Sequence, residues 1–391
     1  MISLQNQMEM KQVFTVTLFL ICLTSFSQND HSHPNIFIIT LDGYRWQEVF
    51  NGADPSLLSD KKYIADTATA IARWGDSSID LRRKRLMPFF WNVIANKGSL
   101  YGNRNYDNKV DVSNRYKISY PGYNEIFTGY PDPEFIPNLP KYNHNENIFE
   151  ALNNTETYKN QVAAFCSWNI LPYILNKEQC SFPVNAGYEN INNEEDSTET
   201  SVINALQDNV EVKEHTRYDE FTFMYAKEYL KKHHPKVMLI GFGETDEFAH
   251  ARRYDMYLQQ ANKIDNMIGE LWYEVQQNPY YKNNTIFIIT TDHGRGKKHN
   301  RWPYHFSVIK GSGEAWMAFM GTPLVAEGEV KVSGQLYQKQ IASTIAYLAD
   351  QTFNPKHKPG EKIALKKIYN QQENNQVQAV KYMETKVMAS N

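Results

Sequence analysis

Cysteine is scarce: the chain has three in 391 residues. Cys22 lies inside an apolar run near the start, which leaves Cys166 and Cys180 downstream. A scaffold held by several disulfides is therefore excluded. One bridge between Cys166 and Cys180 is possible in an exported protein, and two free thiols are the alternative. A charge excess of one sign is also missing. Lys and Arg number 41 against 44 Asp and Glu, for a formal net charge of -3, and no long basic block occurs. This composition argues against a nucleic-acid-binding protein. Long hydrophobic stretches are absent except for Val13 to Leu23, which is too short to span a bilayer comfortably. Lys11 precedes that run, and Ser25-Phe26-Ser27 puts small residues at both positions a signal peptidase reads. Residues 1–27 are expected to be a secretory signal, which implies a periplasmic or secreted product. A membrane anchor or a buried strand is the other reading.

What is present suits a large core. The chain is 41% hydrophobic and 13% aromatic, enough for one big α/β domain or two smaller ones. Strand and helix signals alternate throughout, which implies a mainly parallel sheet with helices on both faces.

The stretch Thr285-Ile-Phe-Ile-Ile-Thr-Thr-Asp-His-Gly294 sets the theme. An apolar, β-branched run with no polar alternation suits a strand buried on both faces. It leads into Asp292, His293 and Gly294, where open α/β sheets place ligands. The same pattern recurs. Asn35 to Leu41 runs into Asp42-Gly43, and Lys236 to Gly243 leads to Asp246, with His250 four residues later. Three acids and two imidazoles at one sheet edge would suit a zinc-type metal. Taken singly, each acid could be an ordinary turn or cap residue.

Ser119-Tyr-Pro-Gly-Tyr to Thr128-Gly129 has proline near its start and glycine at its end, as a short helix does. Ser119 would sit at the N-terminus, where free N–H groups and the helix dipole favour an alkoxide and a phosphate. A plain cap is the alternative. Pro131 to Glu146 reads as a long proline-rich loop. Further helices are expected at Met87–Ala95, Asn147–Asn154, Asp219–His234, Tyr254–Gln277 and Leu336–Leu348, and strands at Val162–Trp168 and Trp316–Met320. The polar segment 186–216 reads as an exposed insertion or lid. The tail after Pro355 reads as fraying. Tyr120, Tyr123, Phe135, Trp168 and Tyr173 could line an aromatic slot or belong to the core.

These blocks together resemble the alkaline phosphatase superfamily, in particular its type I phosphodiesterase/nucleotide pyrophosphatase branch. The resemblance rests on Leu41-Asp42-Gly43, Ser119-Tyr-Pro-Gly-Tyr with Thr128-Gly129, Asp246 to His250, Asp292-His293-Gly294, and His305 ahead of Gly311-Ser-Gly-Glu-Ala-Trp316. It implies an alkaline-phosphatase-like three-layer α/β sandwich, with residues 28–391 as one catalytic domain. It also implies two divalent metal ions, zinc or alternatively manganese. One would be held by Asp42, Asp292, His293 and Ser119, the other by Asp246, His250 and His305. His299 competes with His305 for the last place. Ser119 would be the nucleophile of a phosphoseryl intermediate, and Asn138 the polar group that holds phosphoryl oxygens.

The substrate implied is a small phosphate ester, either diester or monoester. Diesterase relatives usually carry threonine where Ser119 stands, and no arginine after Ser119 matches the phosphate-binding arginine of monoesterases. Phosphomutase-like and sulfatase-like activities are alternatives within the superfamily, and a non-catalytic binding protein of the same fold is a third. A sulfatase would need arginine where Tyr123 stands, and calcium disfavours the three histidine nitrogens.

Overall fold

The computed structural model describes residues 33–191 and 198–368. The expected secretory signal lies outside them. In chain order the strands are β1 (Asn35–Leu41), β2 (Gly98–Tyr101), β3 (Asn108–Asp111), β4 (Val162–Cys166), β5 (Val184–Ala186), β6 (Val237–Phe242), β7 (Thr285–Thr290), β8 (Glu314–Ala315), β9 (Met317–Met320), β10 (Gly328–Glu329) and β11 (Gly334–Tyr337).

Eight strands form the main sheet in the order β10-β2-β9-β7-β1-β6-β4-β5. The run β7-β1-β6-β4-β5 is parallel, and β9 is antiparallel to both its neighbours. Every residue of β1, β6 and β7 is buried, as apolar runs without polar alternation require. Alternate side chains of β1 enter two separate cores. Phe37, Ile39 and Leu41 join one, Ile36 and Ile38 the other. The long helix Tyr254–Gln277 covers the first face through Leu258, Ala261, Ile264, Ile268 and Leu271. The helices Ser119–Thr128 and Ile341–Leu348 cover the second. This is the expected three-layer sandwich with a mainly parallel sheet.

Several local expectations change. Leu336–Leu348 is not one helix: β11 ends at Tyr337, a 3-10 turn follows, and the α-helix begins at Ile341. The segment 186–216 is not wholly external. Its helix Thr198–Asp208 buries Ile203 in the first core, and Tyr225 of the next helix donates to Asn204 at 2.6 Å. The tail packs as far as residue 368, because Ile363 and Leu365 are buried and Lys367 bridges Leu324. Cys166 and Cys180 are both free thiols. Among the described residues no helix is long and apolar enough to cross a membrane.

Candidate metal centre

Strands β7, β1 and β6 are neighbours, and all three point the same way. Leu41 is level with Phe242, and Thr40 with Thr290. Adjacent strands lie about 4.8 Å apart. Carboxylates just beyond three such ends must therefore crowd together. Asp42 follows β1 directly, Asp292 stands two residues past β7, and Asp246 lies in the helix Glu244–His250 after β6.

The turn after β1 needs glycine. Gly43 has φ +57°, and a Cβ there would meet Asp246 Oδ1 and Arg295 Nη1 at 2.6 Å. Its N–H donates to Asp292 Oδ1 at 2.9 Å. Gly122 performs a similar service on the helix Ser119–Thr128, because a Cβ there would lie 2.6 Å from the Asp292 carbonyl oxygen. The close approach seats the start of that helix on the acid cluster.

Two ligand-like groups result. Asp42, Asp292 and His293 form one, and Asp246, His250 and His305 the other, with donor atoms within 4.8 Å of each other in each group. Ser119 Oγ lies 3.4 Å from Asp42 Oδ1 and 3.3 Å from His293 Nε2. His293 Nε2 is also 3.4 Å from Asp292 Oδ2 and 4.0 Å from Asp246 Oδ1. In the second group, His250 Nε2 is 3.0 Å from Asp246 Oδ2 and 2.9 Å from His305 Nε2. The sequence-predicted Asp42, Ser119, Asp246, His250, Asp292, His293 and His305 are thus brought together. His299 is elsewhere: its Nε2 pairs with Asp60 at 2.7 Å and its Nδ1 meets Ser56 Oγ at 3.2 Å.

The donor set fits divalent cations on three counts. Asp292 Oδ2 is buried without a hydrogen-bond partner. His293 Nδ1 donates to the Gly294 carbonyl at 3.0 Å, and His305 Nδ1 donates to the Lys117 carbonyl at 3.2 Å. Those bonds fix the tautomers that leave both Nε2 lone pairs facing the carboxylates, the usual outer support of a ligating imidazole. Finally, three acids share a small volume. Burial pushes the Asp42 carboxyl well above its usual range, and Asp292 and Asp246 push it further. Burial raises Asp292 as well. Burial works against the Asp246 carboxylate too, but Arg295, His250 and His305 outweigh it and hold the group well below the usual range. Burial, then His293, drives His305 well below its usual value, so it is a neutral donor.

Arg295 is a functional residue that the sequence alone does not single out. Its guanidinium is buried and bonds Asp246, while its Nε donates to the Trp302 carbonyl at 3.1 Å. The available signal was its place directly after Asp292-His293-Gly294.

A cavity of about 330 Å³ opens over Ser119, Asp42, Asp246 and His250, walled by Asn138, Leu139, Pro140, Trp168, Ile170, His215, Thr216 and Glu247. Asn138 Oδ1 accepts the Tyr120 N–H at 2.9 Å. With that donor taken and Pro121 lacking one, fewer free N–H groups remain at this helix start than the sequence alone implies. Of the aromatic candidates only Trp168 lines the cavity. Tyr120 and Tyr123 are core, Phe135 packs on Tyr116, and Tyr173 on Tyr142.

A sequence profile described as the metalloenzyme superfamily matches residues 130–305, a span that includes Asp246, His250, Asp292, His293 and His305. Over that span, just under half of the chain, it resembles the alkaline-phosphatase-like superfamily. Its members bind divalent metal. No curated protein matches the chain. Among solved structures, the wild-type alkaline phosphatase PafA is 10% identical with a TM-score of 0.53, covering 85% of this chain and 98% of that one. The lipoteichoic acid synthase LtaP from Listeria monocytogenes is 10% identical with a TM-score of 0.53, covering 84% and 75%. BT1596, a 2-O GAG sulfatase, is 13% identical with a TM-score of 0.52, covering 85% and 73%. At these identities the likeness concerns the fold.

Proposed function

We propose that the chain is an exported hydrolase of phosphate esters, of the phosphodiesterase type, that acts through a phosphoseryl intermediate. Two divalent cations would be held by Asp42, Asp292 and His293 with Ser119, and by Asp246, His250 and His305. Zinc suits the mix of nitrogen and oxygen donors, with manganese as the alternative. When bound, such a pair supplies charge stabilisation to the attacking and leaving oxygens and lowers the pKa of the serine hydroxyl.

The chain's own groups do the rest. Asp42 Oδ1 and His293 Nε2 flank Ser119 Oγ at 3.4 and 3.3 Å and fix its place in the site; with both given over to a cation, the Ser119 proton would pass to solvent. Ser119 Oγ attacks phosphorus as the P–O bond to the leaving ester oxygen breaks, and water later cleaves the Ser119 Oγ–P bond. Asn138, oriented by its bond to the Tyr120 N–H, offers its amide N–H groups to a phosphoryl oxygen.

One observation carries the preference for diesters: among the described residues neither lysine nor arginine lines the cavity over Ser119. A monoester dianion has one charge more than a diester to neutralise, and this wall supplies no cation for it. The test is a panel of bis-p-nitrophenyl phosphate, p-nitrophenyl phosphate and p-nitrophenyl sulfate, each with and without chelator. Chelator-sensitive turnover with the diester fastest is expected. Faster monoester or sulfate turnover would reverse the preference, and turnover of none would leave a binding protein.

A further inference from the structure

The cavity has a second feature that the phosphate chemistry does not use. Trp168 and Thr216 form an isolated antiparallel bridge. The flanking bonds, Arg217 N–H to the Ser167 carbonyl at 2.8 Å and Asn169 N–H to the His215 carbonyl at 3.0 Å, make it a non-hydrogen-bonded pair. Side chains of such a pair stand close together on one face. The Thr216 hydroxyl in turn donates to Glu247 Oε1 at 2.7 Å. An indole and a half-buried carboxylate are thereby fixed on one wall, with Leu139 and Ile170 supplying apolar surface. Glu247 has no ion-pair partner among the described residues, although it faces a cavity already rich in acids.

We infer that this wall is a subsite for a positively charged, partly apolar substituent, an amine or quaternary ammonium carried on one ester arm of the substrate. The inference rests on the phosphodiester reading and names its substrate class. Indole faces attract cations, and a carboxylate beside one adds direct Coulomb attraction. The balance of charge agrees. Two dications and the Arg295 guanidinium beside Asp246 stand against Asp42, Asp246, Asp292 and an ionised Ser119, with one positive charge over. Glu247 and the diester monoanion then leave the site one negative charge in excess. A cationic ester arm cancels that excess, whereas a second anion adds to it.

The test compares two p-nitrophenyl phosphodiesters of the same shape, one carrying choline and the other its uncharged isostere, 3,3-dimethylbutanol. The wild-type protein is expected to favour the choline ester in kcat/KM by on the order of tenfold. In Glu247→Gln, which keeps the shape and the Thr216 contact, that ratio should fall to near one. Trp168→Leu should lower it as well. A wild-type ratio near one, or a ratio unmoved in both variants, overturns the subsite. Binding of free choline, followed by calorimetry on metal-loaded protein, separates this result from the fate of the diester reading. Binding that weakens in Glu247→Gln upholds the subsite even if neither ester is cleaved. No binding by wild type overturns it even if bis-p-nitrophenyl phosphate is hydrolysed.

Discussion

The backbone carbonyl of Lys117 accepts a hydrogen bond from His305 Nδ1 across 188 residues of sequence. Lys117 itself has φ +57°, in the left-handed region. What holds it there is Glu125, one turn and a half into the following helix. The Glu125 carboxylate is fully buried and accepts from Ser113 N, Asn114 N, Asn114 Nδ2 and Lys339 N. Asn114 Oδ1 then accepts the Lys117 N–H at 2.8 Å. One acid thus ties the loop before Ser119 to the turn at Lys339, and Asn114 passes the restraint on to Lys117 and so to His305.

Glu125→Gln should therefore act in two ways. An amide turned toward N–H donors leaves at least one of them unsatisfied, at a cost of about 1–3 kcal/mol in stability. It should also loosen the Lys117 carbonyl and with it His305. The expected result is a lower thermal midpoint together with weaker retention of one metal equivalent in a chelator titration. A lower midpoint with unchanged metal retention would make Glu125 a support of the fold alone.

Ser119→Ala removes the proposed nucleophile and leaves Asp42, Asp292 and His293 in place. Turnover of the preferred ester should fall by at least about a thousandfold. Metal content, measured by elemental analysis, should stay nearly intact. Retained turnover would remove Ser119 from the reaction.

His305 and His299 make a paired comparison. His305 Nε2 lies 2.9 Å from His250 Nε2, whereas His299 is exposed and engaged with Asp60. His305→Ala should lose one of two metal equivalents and most activity. His299→Ala should change neither by more than about twofold, as surface substitutions away from a site usually do. Equal losses in both variants would contradict the assignment of the last ligand.

The core of the centre was legible because its signals are local. Each of β1, β6 and β7 is an apolar run that meets an acid within a few residues, and parallel pairing brings those ends together. Asp246 and His250 share a face through helical spacing alone. Arg295 and Glu125 were not legible, because their roles depend on partners remote in sequence. Arg295 sits in a run that reads as solvated and basic, yet its partner Asp246 is 49 residues away. Glu125 looks like an ordinary helix glutamate until Lys339, 214 residues on, is placed beside it. The wall of Trp168, Thr216 and Glu247 was hidden for the same reason. It joins the end of β4 to the helix after β6 through a strand-like segment too short to announce itself.

A last prediction concerns Asp265, in the middle of the helix Tyr254–Gln277 and away from the metal centre. Its carboxylate accepts from Phe89 N at 2.7 Å and Phe90 N at 2.8 Å and is fully buried. Burial pushes its pKa up to about 7 even though both N–H groups pull it down. In the unfolded chain the same group titrates near about 3.9. Between those values the folded state holds more protons than the unfolded one, so the Asp265 contribution declines as pH rises. It is fully present below about pH 4, is lost as pH climbs through about 7, and is constant above that. Asp265→Asn does not titrate. The stability difference between wild type and Asp265→Asn, measured by denaturant unfolding from pH 4.5 to 8.5, should therefore shift steadily against the wild type up to about pH 7 and then level off. A difference that is flat across the range would place Asp265 among ordinary carboxylates. A shift toward the wild type would mean that the two backbone donors at Phe89 and Phe90 outweigh burial.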